Sequence, residues 1–106
     1  MVEFRRFIRA PLDQPLYFKS KRGDLRAEGV AKDISVGGMF IATASPAAFG
    51  QDVVVHIRLA KAGNELALPG VVRWTNPEGM GIQFGLIGAR ETHAITELVK
   101  SREPAG

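Results

Sequence analysis

Apolar and polar residues alternate along short runs of this chain, repeatedly, before any helical spacing appears. That pattern limits what the chain can fold into. The clearest run places Val53, Val55, Ile57 and Leu59 on one face and Val54, His56 and Arg58 on the other, the period of a half-buried strand. Leu16 and Phe18 alternate with Tyr17 and Lys19 ahead of a turn at Lys21-Arg22-Gly23-Asp24. A second strand is expected from Leu25 to about Lys32, and a third over Met39-Phe40-Ile41. After a Gly63-Asn64 turn, Leu66, Leu68, Val72 and Trp74 share one parity. Trp74 reads as core or barrel rim rather than a stacking platform, because strand aromatics mostly pack, and its place near the hairpin end leaves a ligand-facing role open. Asn76-Pro77-Glu78-Gly79 is a turn, because Pro presets one dihedral and Gly tolerates positive φ. Met80, Ile82 and Phe84 form the last strand.

The period changes after Gly88. Ile95, Leu98, Val99 and Arg102 fall at spacings of three and four, which predicts an amphipathic helix over residues 90–102, ended by Pro104 and Gly106. Six short strands followed by one helix give an all-β fold with a terminal helix: a small six-stranded antiparallel β-barrel capped by a C-terminal α-helix. Closure into a barrel removes exposed sheet edges. The expected division is one domain over residues 1–106, with an N-terminal segment at 1–13, the barrel at 14–87 and the helix at 88–102.

A chain of 106 residues, 45% of them apolar, supports a single small core. It contains no cysteine, so disulfides, cysteine metal sites and a thiol nucleophile are excluded, and a reducing cytoplasm is the expected location. No apolar run approaches the roughly 20 residues of a membrane span, and the N-terminal arginines are not followed by the apolar stretch of a signal peptide. The net charge of +3 is unevenly spread: residues 1–32 hold eight Lys/Arg against four Asp/Glu. Such a local field attracts a small dianion, whereas double-stranded DNA calls for a longer basic stripe.

Two clusters carry the chemistry. Arg5-Arg6-Phe7-Ile8-Arg9 supplies fixed positive charge and planar stacking surface, with Arg5 and Arg9 four apart and so on one side of a turn-like segment. Asp33-Ile34-Ser35-Val36-Gly37-Gly38 supplies a carboxylate acceptor, a hydroxyl and two glycines at a strand boundary. Taken alone, the first reads as a solvated basic end and the second as an ordinary turn.

Together, in this order and followed by this strand pattern, they resemble the Arg-x-x-x-Arg and Asp/Asn-x-Ser-x-x-Gly signature of the PilZ family, bacterial receptors for cyclic diguanylate (c-di-GMP). The likeness extends through Met39-Phe40-Ile41, and Gly70-Val71-Val72-Arg73-Trp74 with Gly79-Met80-Gly81-Ile82-Gln83-Phe84 looks like the family's last hairpin. The resemblance implies a ligand lying across the outer surface of the barrel. Arg5, Arg6 and Arg9 would clasp it from the N-terminal loop, and Asp33, Ser35, Gly37 and Gly38 would contact it from the strand side. Asp33 can accept from guanine N1–H and N2–H, the edge that separates guanine from adenine. Phe4 occupies the place where some members carry an additional arginine and bind a stacked ligand dimer.

The expected function is therefore a non-enzymatic c-di-GMP receptor, without cofactor or metal. It signals through a ligand-ordered N-terminal segment to a protein partner. A PilZ-like adaptor that binds only protein is the alternative within the family. A barrel for single-stranded nucleic acid would call for several exposed aromatics along a basic groove. His56 and His93 have no companion at ligand spacing, and no nucleophile elbow surrounds Ser35.

Overall fold

The computed structural model describes residues 9–23, 25–59 and 63–102. Six strands, β1 (Ala10–Ser20), β2 (Arg26–Ser35), β3 (Gly38–Ala42), β4 (Asp52–Ile57), β5 (Leu66–Asn76) and β6 (Gly79–Phe84), precede one helix, α1 (Ala89–Arg102). The strands close into an antiparallel barrel in the order β1-β2-β3-β6-β5-β4. The expected architecture is the observed one.

The alternating residues meet inside. Phe18, Ile34, Met39, Ile41, Val55, Ile57, Leu68, Val72 and Met80 are fully buried, and each such side chain contributes about 1.5–3 kcal/mol through loss of apolar surface to water. The helix packs on β1 and β2, and its Ile95 and Val99, one turn apart, join the same core. Glu91 lies in its first turn, where negative charge suits the helix dipole. Ala47, from the loop between β3 and β4, is also buried, its amide directed at Met80 Sδ.

The first strand begins at Ala10, four residues before the expected barrel boundary at 14, so residues 10–13 belong to β1 and not to a separate segment. Pro11 and Pro15 hide the strand in the sequence, since Pro removes a ladder donor. A register shift between Pro11 and Gln14 further breaks the alternation. Similarly, β2 continues past Lys32 to Ser35, placing Asp33 within a strand.

Two other register shifts decide what the outer surface displays. One lies between Ala31 and Asp33 in β2, the other between Val72 and Trp74 in β5. A bulge inserts one residue, here Lys32 or Arg73, and switches the faces of all that follow. Strict alternation from Ala31 would turn Asp33 inward, and strict alternation from Val72 would do the same to Trp74. With the bulges, Ile34 takes the core position in β2, and Asp33 and Trp74 point out.

Candidate functional site

The outward residues line up. Pro11 pairs with Asp33, Asp33 with Phe40, Phe40 with Gly81, and Gly81 with Trp74, a row crossing β1, β2, β3, β6 and β5. Directly paired residues share a face, so the row runs across the outside of the barrel from a carboxylate to an indole. Beside it lies a concavity of about 560 Å³, whose lining includes Arg9, Asp33, Phe40, Arg73, Trp74 and Gln83.

At one end, Arg9 holds Asp33. Arg9 Nε and Nη2 both donate to Asp33 Oδ1, at 2.9 and 2.7 Å. The other carboxylate oxygen, Oδ2, has no hydrogen-bond partner among the described residues. The pair is open to solvent, with side-chain exposures of 48% and 35%. Lys32, displaced by the bulge, pairs with Asp13 close by.

At the other end, Trp74 is 48% exposed. Its ring stacks on Phe40 with centroids 5.2 Å apart and planes 12° from parallel. Gly81 makes this possible. A Cβ there would lie 2.2 Å from Trp74 Nε1 and 2.3 Å from Cε2, so the indole lies flat over the β6 backbone and meets Phe40 across it. Arg73, the bulge residue, donates from Nε to Gln83 Oε1 at 2.6 Å. The turn that follows is tied by Asn76 Oδ1, which accepts from the amides of Glu78 and Gly79.

The residues singled out in the sequence do not all gather here. Arg9, Asp33, Gly37 and Gly38 line the concavity. Ser35 does not: it is 1% exposed, and its Oγ accepts from the Gly37 amide at 3.1 Å, so it shapes the β2–β3 turn. Gly38 has a packing role as well, because a Cβ there would meet Ile82 O at 2.1 Å. Arg5 and Arg6 lie outside the described residues. The core reading of Trp74 is corrected, since the β5 bulge takes it out of the core parity, and the ligand-facing role left open for it is the one its exposure fits. Phe40, Arg73 and Gln83 were missed as site residues. Phe40 and Gln83 fall on the outward parity of β3 and β6, where a polar or aromatic side chain reads as ordinary surface, and strand alternation gives no sign of the bulge that inserts Arg73. The pairing of a glycine in β6 with an aromatic in β5 was the one available signal.

A second concavity, of about 720 Å³, lies on the β1–β4 side. There Tyr17 and His56 stack at 4.6 Å, and Glu65 accepts from Tyr17 Oη at 3.1 Å and lies 3.2 Å from His56 Nδ1. Desolvation, and then the hydrogen bond and charge of Glu65, raise the Tyr17 phenol above its ordinary pKa. No residue of the two sequence clusters lines it.

A family model described as PilZ domain matches residues 3–101. No curated protein sequence matches the chain. Among solved structures, the chain is similar to the PilZ domain of CeSA from a cellulose-synthesizing bacterium, with TM-score 0.73, 22% identity, and coverage of 88% of this chain and 95% of that one. It is also similar to the PilZ domain of YcgR from Escherichia coli, determined with c-di-GMP, with TM-score 0.75, 11% identity and coverage of 92% and 90%. Against the Bacillus subtilis inhibitor of motility, MotI/DgrA, the TM-score is 0.75 at 19% identity, and 92% of this chain spans 50% of that protein. At these identities the structural likeness speaks for the fold. Among the described residues no helix is long and apolar enough to cross a membrane.

Proposed function

Since the chain belongs to the PilZ domain family, we propose that it is a receptor for c-di-GMP, working by binding and not by catalysis. The observation that carries this reading is the outer-surface row, with an Asp33 carboxylate oxygen that has no partner among the described residues and an exposed aromatic face at Trp74 on one concavity. A cyclic dinucleotide offers matching groups: guanine edges that donate, flat bases, and two phosphates.

In this reading Asp33 Oδ2 accepts from N1–H and N2–H of one guanine, and Trp74, backed by Phe40, carries a base on its face. Arg9 already stands at the site. Arg5 and Arg6 complete the clasp on the phosphates, where guanidinium forks suit both phosphate oxygens and stacking. Gly37 and Gly38 border the concavity with backbone alone, and Ser35 fixes the turn that carries them. The signal is the ordering of the segment bearing Arg5 and Arg6 against the barrel, read by a protein partner in the cytoplasm.

Calorimetric titration of the chain with c-di-GMP tests the reading, with GTP and single-stranded DNA as controls. Saturable binding of the cyclic dinucleotide alone is expected. Absence of that binding overturns it and leaves the protein-binding adaptor. Preference for the DNA would indicate a nucleic-acid barrel.

A further inference from the structure

The site holds two described arginines, and they stand in opposite electrical situations. The charge of Arg9 is compensated by Asp33 in a hydrogen-bonded ion pair. Arg73 has no carboxylate partner among the described residues, and its sole hydrogen bond there runs from Nε to the neutral side-chain carbonyl of Gln83. Both Nη nitrogens are left without partners among the described residues, on an exposed side chain that lines the concavity. Gln83 therefore orients the guanidinium without cancelling its charge. Arg73 is also the residue inserted by the β5 bulge. A bulge interrupts the ladder at some cost, and it is a common device for re-aiming a side chain.

We infer that Arg73, held by Gln83, is a phosphate-binding arginine of this site, contributed from the β5–β6 wall opposite Arg9 and Asp33. The inference rests on the c-di-GMP reading and extends it, because neither sequence cluster contains Arg73. With Nε engaged, the two Nη groups present a fork to a phosphodiester, the geometry in which arginine holds anions best. Trp74 follows directly in sequence, so one short stretch of β5 supplies both a cation and a stacking face. A nucleotide has the same two features side by side, a phosphate next to a flat base. Gln83 acts as a positioning residue: its acceptor sets where the guanidinium points.

The test is calorimetric titration of the full chain and its variants with c-di-GMP, at low and at near-physiological salt, together with thermal melts. Arg73→Ala is expected to bind about tenfold to a hundredfold more weakly, the size of a lost hydrogen bond to a charged group. Its ionic-strength dependence should be shallower, because one cation facing the phosphates is gone. Arg73→Lys should fall between, retaining the charge without the fork. Gln83→Met should weaken binding in the wild-type background and cause no further loss in the Arg73→Ala background, a non-additivity that identifies its action as passing through Arg73. Melting temperatures of the Arg73 variants should stay near that of the wild type, since the side chain is exposed. Affinity of Arg73→Ala within about twofold of wild type, on the scale where one bond is worth tenfold or more, overturns the inference and leaves the receptor reading intact. Weakened binding that merely tracks a lower melting temperature also overturns it. A wild-type chain that does not bind c-di-GMP overturns the reading and the inference with it.

Discussion

The two walls of the concavity solve different problems. On the β1–β2 wall, Arg9 and Asp33 form a charge-neutral pair whose remaining carboxylate oxygen can only accept hydrogen bonds. On the β5–β6 wall, Arg73 has no carboxylate partner among the described residues and is oriented by a neutral amide, beside the aromatic face of Trp74. The first wall is suited to reading the donor edge of a base. The second is suited to holding what every nucleotide shares, a phosphate and a flat ring. On the proposed reading, selectivity and affinity would come from separate strands, each aimed outward by its own bulge.

The largest effect is expected where the first wall is broken. Arg9→Ala removes a cation and also leaves Asp33 uncompensated, so its carboxylate then repels the incoming phosphates. Affinity for c-di-GMP should fall by about a hundredfold or more, the upper end for loss of a charged hydrogen-bonding partner. The melting temperature should hardly move, because a solvent-exposed ion pair contributes only about 0–1 kcal/mol. Calorimetry and a thermal melt on the same variant check both halves. A variant that keeps its affinity but melts early would make Arg9 a structural residue and erase the distinction between the walls.

Selectivity should track the same wall and not the other. Cyclic diadenylate presents no N1–H to Asp33 Oδ2, and an unmatched buried polar group costs about 1–3 kcal/mol. It should bind more weakly than c-di-GMP to the wild type. Asp33→Ala should narrow that gap, whereas Trp74→Ala should weaken both ligands alike. Competition titrations measure the ratio. Equal affinities of the wild type for the two dinucleotides would remove base reading from Asp33.

A smaller effect should follow from disturbing the second wall through its glycine. Gly81→Ala places a methyl where the indole lies, so Trp74 must leave Phe40. The stacking lost is worth about 0.5–1.5 kcal/mol, and affinity should fall about three- to tenfold. Trp74 is the only tryptophan, so its emission reports directly: ligand should quench it in the wild type and much less in the variant. Unchanged quenching together with unchanged affinity would mean that the base stacks elsewhere.

The two walls also differ in how far the sequence disclosed them. Six strands and a helix were readable because Val53–Ile57 and its counterparts alternate cleanly, and Ile95 and Val99 keep helical spacing. Arg9 was readable as the end of an arginine cluster with a spacing of four, and Asp33 because a carboxylate and a hydroxyl beside paired glycines form a recognisable motif. Bulges are set by the partner strand, and no local pattern announces one. Asp33 does carry a hint: counted from Ala31 it falls on a core parity, where an unpaired carboxylate would be costly, so the alternation had to break. Trp74 offers no such contradiction, since a core accepts an indole readily. Pro11 concealed the start of β1 for a different reason, the absence of the donor that strands ordinarily use.

Ser35 gives the finest test, because it belongs to the legible motif yet faces away from the concavity. Its hydroxyl is buried and accepts from the Gly37 amide. Ser35→Ala would leave that partially buried amide without this partner, at about 1 kcal/mol, and lower the melting temperature by about 4–8 °C for a domain of this size. Affinity for c-di-GMP should drop by no more than a few-fold, through a loosened turn at Gly37 and Gly38 rather than through a lost ligand contact. Thermal melting and calorimetry of Ser35→Ala separate the two routes. An unchanged melting temperature with binding reduced as much as in Arg9→Ala would mean that the hydroxyl turns outward to the ligand. The β2–β3 turn would then have to open on binding, and the first wall would be the moving one.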